Sequence, residues 1–254
     1  MKVTFLGTGT SQGVPVIGCR CEVCRSLDFR DKRLRTSVLV ETGNTAIVID
    51  TGPDFRQQML RLSVRKLDAV LLTHSHKDHI AGLDDVRAFN FLQNRDMPVY
   101  GTAPTLARIT EEFYYAFSQN PYPGVPRLTK ITFDGTPFEI EGTPVVPIRV
   151  MHHRMPVAGF RIGDFTYITD ANLIPEEERE KIDGTRVLVI NALQRDSHIS
   201  HFTLSQALEV IGELKVPQAY LTHISHKLGL HAQVQKELPD HVSPAFDGLE
   251  LSIP

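Results

Sequence analysis

The chain carries no excess of either charge: 27 lysines and arginines stand against 30 aspartates and glutamates, a net charge of −3 with histidine neutral. A general polyanion-binding field is therefore excluded, although a local basic patch is a separate matter. No stretch approaches about eighteen consecutive apolar residues, so nothing reads as a membrane-spanning helix. The opening MKVTFLGTGT lacks the long apolar run of a secretory leader and reads as a short strand entering a glycine turn. The compartment expected from these features is the cytoplasm. Cysteine is scarce: Cys19, Cys21 and Cys24 are the whole supply, all in GCRCEVC. An odd number packed so closely is a poor disulfide framework.

What is present is apolar content enough for a full core, 41% of 254 residues, and eleven histidines that cluster. KVTFLG, TSVLVETGNTAIVID, KLDAVLLT and PVYG read as strands, with GN marking a hairpin turn. PDFRQQMLRLSV, AGLDDVRAFNFLQN and TLARITEEFYYAF have helical periodicity, with Phe55, Met59, Leu60 and Leu62 near one face of the first. The second half repeats that grammar. KITF, PFEIEGTPVVPIRVMHH, VAGFRIGDFTYI, TRVLVINAL and QAYLT read as strands. PEEEREKI and TLSQALEVIGELK read as helices, the latter with apolar Leu204, Leu208, Ile211 and Leu214, and VSPAFDGLELSIP closes with a pair of short strands. Strand runs followed by strand–helix units predict an α/β layering of two sheets with outer helices. No linker or low-complexity tract divides the chain, so one domain over 1–254 is expected.

LLTHSHKDHI (71–80) packs His74, His76, Asp78 and His79 into six positions at the end of a buried strand. A strand ending at Thr73 would release the chain into a loop at the sheet edge. There His74 and His76 can converge on one cation while Asp78 and His79 turn toward a second. Imidazole with carboxylate suits zinc, manganese or iron. A solvated polar loop is the ordinary alternative, but further strand ends supply more ligands: His152 or His153 in VMHH, Asp170 in YITD and His223 in YLTHISH. A carboxylate such as Asp170 can bridge two metals about 3.5–4 Å apart, the spacing of two-metal hydrolases.

Three thiolates at Cys19, Cys21 and Cys24 call for a fourth ligand to close a tetrahedral structural zinc site, and His226 is the candidate. Such a zinc would pin the N-terminal loop to the loop after the last metal-site strand. LGTGTSQGVP misses the dinucleotide-binding glycine spacing and reads as a tight turn beside the metal site. His201 precedes Thr203 at a capped helix entry. As a loop histidine near metals it could protonate a leaving oxygen, whereas His198 and His201 could equally be ordinary loop polars. RDKRLR (30–35) is the densest basic run and reads as a solvated loop.

The H-x-H-x-D-H stretch followed by a distant His, Asp and His resembles the metallo-β-lactamase superfamily, over essentially the whole chain. GCRCEVC together with LTHISH resembles its phosphodiesterase branch, which includes phosphoribosyl 1,2-cyclic phosphate phosphodiesterase of the carbon–phosphorus lyase pathway. The resemblance implies an αββα sandwich of two mixed sheets flanked by helices, and two active-site metals, manganese or zinc. His74, His76 and His152 would hold one metal; Asp78, His79 and His223 the other; Asp170 would bridge. Cys19, Cys21, Cys24 and His226 match a structural zinc site. His201 matches the family's catalytic histidine, Asp78 is given a catalytic role beside its ligand role, and Asp50 in VIDTG matches an aspartate that orients a metal ligand.

The reaction so implied is metal-assisted hydrolysis of a small phosphodiester, cyclic or linear, with water activated between two cations. The partners implied are that substrate and a second copy of the chain as a homodimer, with neither nucleic acid nor membrane. An endonuclease resembling the tRNA 3′-processing enzyme (RNase Z) is the alternative. The acidic net charge and the lack of a long basic insertion weigh against it. A lactonase or thioesterase on the same fold, and a non-catalytic metal-binding protein, are the other readings. Segment 111–128 does not match the phosphodiesterase branch and reads as a lid or a dimer surface.

Overall fold

β-Branched and aromatic runs between turn residues set the strands. The structure, a computed structural model, describes residues 1–254. The first half supplies β1 (Lys2–Gly7), β2 (Ser37–Thr42), β3 (Thr45–Ile49), β4 (Ala69–Leu71), β5 (Met97–Gly101) and β6 (Leu128–Thr132). The second supplies β7 (Phe138–Ile140), β8 (Thr143–His152), β9 (Met155–Ile162), β10 (Phe165–Ile168), β11 (Val187–Asn191), β12 (Gln218–Thr222) and β13 (Val242–Pro244). A last strand, β14 (Glu250–Ser252), returns to the edge of the first sheet beside β1. The sheet orders are β14-β1-β2-β3-β4-β5-β6 and β13-β12-β11-β10-β9-β8-β7. Each sheet starts antiparallel and turns parallel, at β3–β4 in one and β10–β11 in the other.

The sheets face each other across a core that joins both halves, with Phe5, Val38, Ile47 and Leu71 against Phe160, Phe165, Tyr167 and Val189. Helices cover each outer face. Phe55, Leu83, Phe89, Leu106 and Ile109 pack on the first sheet, and Leu204, Ala207, Ile211 and Val234 on the second. This is the expected α/β sandwich. β3, β4 and β10 are buried along their whole length, as continuous apolar strands covered on both faces must be.

The expected hairpins turn at Gly43 (φ 57°) and Gly163 (φ 55°), left-handed positions where glycine avoids a Cβ clash. Helix Leu204–Leu214 starts on a capping box: the Thr203 hydroxyl accepts from the Gln206 N–H, and the Gln206 side chain accepts from the Thr203 N–H.

One local expectation differs from the structure. In helix Phe55–Arg61 the buried face is Phe55, Gln58 and Met59, while Leu60 is exposed. At about 100° per residue, Leu60 stands roughly 140° from Phe55. The two short closing strands form as expected; β13 joins β12 and β14 joins β1, tying the C-terminus to both sheets. Helix His231–Glu237 gave no clear periodic signal, because Val234 is its only buried aliphatic residue.

Parallel strands present their carboxyl ends together at one rim, where ligands collect in open α/β sheets. Asp50 follows β3, His74 follows β4, Asp170 follows β10 and His223 follows β12. Asp50, Asp170 and His223 all adopt left-handed backbone, with φ of 66°, 55° and 53°. Non-glycine residues held this way cost roughly 1–3 kcal/mol each and gather at functional sites.

Candidate metal centre

Asp50 organises the first part of the rim. It is fully buried; its carboxylate accepts the Thr73 N–H (2.9 Å), the Thr73 hydroxyl (2.8 Å) and His79 Nδ1–H (2.7 Å). The Thr73 hydroxyl, its proton given to Asp50, accepts His74 Nδ1–H at 3.0 Å. One carboxylate therefore sets the tautomer of two imidazoles. Both turn Nε2 inward, and both Nε2 atoms are buried without a hydrogen-bond partner. His152 follows the same rule, with Nδ1 on the Ser200 carbonyl at 3.0 Å. Buried polar atoms are rarely left unsatisfied, so orphaned nitrogens converging on one space mark a ligand position.

The carboxylates complete it. His79 Nε2 lies 3.2 Å from both Asp78 Oδ2 and Asp170 Oδ2, and His223 Nδ1 lies 3.0 Å from Asp170 Oδ2. Those separations lie just inside the edges of about 3.3–3.6 Å expected between tetrahedral donors about 2.0–2.2 Å from one ion. The ligand atoms of Asp78, His79, Asp170 and His223 all lie within 4.8 Å of one another, as do those of His152, Asp170 and His201. Asp170 is common to both groups. The rings of His74, His76 and His152 gather beside them, with centroids 4.6–5.9 Å apart. His152 is thus the histidine of VMHH in the cluster; His153 occupies the exposed turn after β8.

The electrostatics call for a cation. Burial opposes charge on His79, but Asp170, Asp50 and Asp78 outweigh it and hold the imidazole well above its ordinary range. Burial also opposes charge on Asp170, and there His223 and His79 prevail and hold the carboxyl far below its usual value. Three carboxylates around one imidazole, two of them buried, need positive charge, since uncompensated buried charge is costly. His74 is instead held well below the ordinary imidazole range by burial, which leaves it a neutral donor.

Residues 45–224 match the Beta-lactamase superfamily domain. The chain belongs to the metallo-β-lactamase superfamily. It has the αββα fold of that superfamily. A solved structure described as a new diphosphatase from the PhnP family is 38% identical, with 98% of this chain and 96% of that one covered and a TM-score of 0.93. Zinc-bound PqqB from Methylobacterium extorquens is 20% identical, with both chains covered in full and a TM-score of 0.76, a likeness of fold. A protein of Porphyromonas gingivalis named octanoyltransferase is 44% identical over 257 residues, covering 100% of this chain and 52% of that protein. The chain spans about half the length of the curated relatives it matches. No helix is long and apolar enough to cross a membrane.

His201, read from sequence as a proton donor, stands beside the cluster. Its ring lies 4.6 Å from His152 and 4.8 Å from His223, and its buried Nδ1 is 3.9 Å from Asp170 Oδ1 with no hydrogen-bond partner. Burial, with His223 adding repulsion, lowers its pKa to about 3, so it is neutral near pH 7. His198 sits outside, exposed, its ring 5.1 Å from His201.

The cysteines form a separate cluster with the expected histidine. His226 Nδ1 is 3.3 Å from Cys19 Sγ, 3.3 Å from Cys21 Sγ and 3.6 Å from Cys24 Sγ. A tetrahedral zinc with bonds of about 2.3 Å to sulfur and about 2.0 Å to nitrogen gives an S···N edge of roughly 3.5 Å. Backbone N–H groups address two sulfurs: Cys24 N donates to Cys21 Sγ and Val16 N to Cys24 Sγ, each at 3.4 Å. The Cys24 N–H leads in holding Cys21 down to about 6, a thiolate poised for metal.

The basic run RDKRLR is not a solvated loop. Arg33 is buried and donates to Thr8 Oγ1 (2.8 Å) and the Ala245 carbonyl (2.5 Å). Arg30 pairs with Asp28 and Arg35 with Asp54. These guanidiniums hold loops together, which sequence could not distinguish from a free cationic patch. Segment 111–128 packs on the turn after the histidine motif, with Glu112 bound to Lys77 and the Tyr115 hydroxyl donating to Asp84 at 2.7 Å. Sequence reasoning missed Thr73 and Asn191. The Asn191 side chain brackets Ala171 by accepting from its N–H (2.8 Å) and donating to its carbonyl (2.9 Å), which fixes the chain just after Asp170. Neither belongs to a motif; position at a strand end was their only signal.

Asp50→Asn tests this organisation. The variant is expected to fold and to bind active-site metal about 10- to 100-fold more weakly in chelator competition, the usual cost of losing an outer partner of a ligand.

Proposed function

We propose that the chain is a binuclear metal-dependent phosphodiesterase acting on a small phosphodiester, of which a cyclic ribose phosphate such as phosphoribosyl 1,2-cyclic phosphate is the leading candidate. The observation that carries the reading is Asp170, the one carboxylate common to two adjoining ligand groups. His74, His76 and His152 would hold one cation, Asp78, His79 and His223 the other, and Asp170 would bridge them. Cys19, Cys21, Cys24 and His226 would hold a structural zinc. When bound, the active-site pair supplies Lewis acidity that activates water and offsets charge on phosphoryl oxygens.

The chain's own residues do the rest. Asp50 and Thr73 keep His74 and His79 in the tautomer that offers Nε2 inward. Asp78 and Asp170 supply the negative charge that retains the cations. His201, neutral and buried beside Asp170, offers an N–H to the departing oxygen and stabilises its charge. Likeness to a PhnP-family diphosphatase at 38% identity supports phosphorus as the centre attacked, and makes a P–O–P bond the second reading.

The test is metal-free protein reconstituted with manganese or zinc and offered bis(p-nitrophenyl) phosphate, a diphosphate ester, a lactone and a thioester in parallel. Metal-dependent cleavage of the phosphodiester without acyl cleavage is expected; acyl cleavage alone overturns the reading. His201→Ala is expected to keep both active-site metals and lose about 10²- to 10⁴-fold in turnover, the range for a positioned acid–base group. Loss of a metal in that variant would make His201 a ligand.

A further inference from the structure

Each imidazole of the centre with a tied nitrogen is held by a partner on its far side: His79 by Asp50, His74 by Thr73, His152 by the Ser200 carbonyl. In all three the tied atom is Nδ1. His223 is turned the other way. Its Nδ1 faces Asp170 Oδ2 at 3.0 Å and the Thr169 hydroxyl at 3.4 Å, whose proton goes to Asp170, and its Nε2 meets the hydroxyl of Thr10 at 3.2 Å. Thr10 belongs to LGTGTSQGVP, the glycine turn whose role the histidine motif leaves unexplained.

We infer that Thr10 is the positioning residue for His223: its hydroxyl accepts Nε2–H and so leaves Nδ1 bare toward the metal. The inference rests on the reading of His223 as a ligand. A neutral imidazole has one N–H, so a partner that takes it on Nε2 decides which nitrogen can bind metal.

The backbone around Thr10 is built to hold that contact. The Thr10 N–H donates to the Ile224 carbonyl (3.1 Å) and the Ile224 N–H to the Thr8 carbonyl (2.9 Å), so the turn pairs with the residue directly after His223. Thr8 is anchored in turn: its hydroxyl donates to Asp247 and accepts from buried Arg33, both at 2.8 Å. Between them Gly9 lies so close to Arg33 that a Cβ would stand 2.9 Å from both the Arg33 Cβ and its carbonyl oxygen. Glycine there lets Thr10 approach. His223 itself sits at φ 53°, a conformation that needs outside support. The N-terminal turn supplies that support, which explains why it lies against a loop more than 200 residues later in sequence.

The experiment is calorimetric titration of Mn²⁺ into metal-stripped wild type, Thr10→Val and Thr10→Ser, with a thermal melt of each. Valine keeps the shape and removes the hydroxyl; serine keeps the hydroxyl. The expected result is that Thr10→Val weakens one of two manganese sites about 10- to 100-fold, leaves the other and the melting temperature unchanged, and that Thr10→Ser restores wild-type binding. Wild-type binding by Thr10→Val overturns the inference, as does equal weakening of both sites with a lowered melt, which would make Thr10 a packing residue. Should wild type itself bind no manganese, the reading of the centre fails, a result distinct from a failure of Thr10 alone.

Discussion

Asp170→Asn is expected to lower metal-dependent phosphodiester hydrolysis by about 10³-fold or more and to leave fewer than two active-site metals per chain. Asp170 Oδ2 faces both His79 and His223, Oδ1 faces His201, and Asp170 is the one carboxylate shared by the two clusters of ligand atoms. An amide offers one neutral oxygen where two anionic ones stood. Metal stabilisation of phosphoryl charge contributes several kcal/mol, and at about 1.4 kcal/mol per tenfold its loss gives a factor of this size. Metal analysis alongside steady-state rates checks it. Two retained metals with a rate within tenfold of wild type would remove Asp170 from the bridging role. The fold should survive, because the Asn191 side chain still brackets the backbone of Ala171 and holds the loop.

The second large effect is expected at the cysteines. Cys24→Ser should release one zinc per chain and lower the melting temperature by roughly 6–12 °C, the shift for a loss of about 3 kcal/mol in a domain of this size. Cys24 is buried, and burial raises its thiol to about 11, so without a cation it is a poor thiolate in an apolar pocket with Val14 and Val23. Metal binding that organises a loop is folding energy. The loop it closes, residues 16–26, otherwise has little core of its own: Ile17 is fully exposed and Arg20 and Glu22 are polar. Zinc counting with calorimetric melting tests this. An unchanged zinc content would show that the three sulfurs and His226 are not a zinc site.

Much of the site was legible because its ligands are local in sequence or share one signal. His74, His76, Asp78 and His79 are adjacent, and Asp170 and His223 each end an apolar strand. Such strand ends had to fall at one rim once the strands ran parallel. The cysteine cluster was legible for the same reason, with His226 three residues past the candidate ligand His223. The choice between His152 and His153 was not. Both are at a strand end, and only the turn at His153, with φ 56°, settles which one joins the cluster. Arg33 was unreadable in the other direction: a charged run looks solvated until the chain returns some 200 residues later to bury it against Thr8 and Ala245.

The amino-acid sequence by itself determined the layering, the position of the strand ends and the chemical identity of nearly every candidate ligand, since periodicity and donor type are properties of short segments. Tertiary structure alone decided which sheet each closing strand joins, which nitrogen of each imidazole faces inward, and that Thr10 meets His223. Those outcomes depend on hydrogen bonds between residues as far apart as 10 and 223, and no local pattern encodes a partner at that distance.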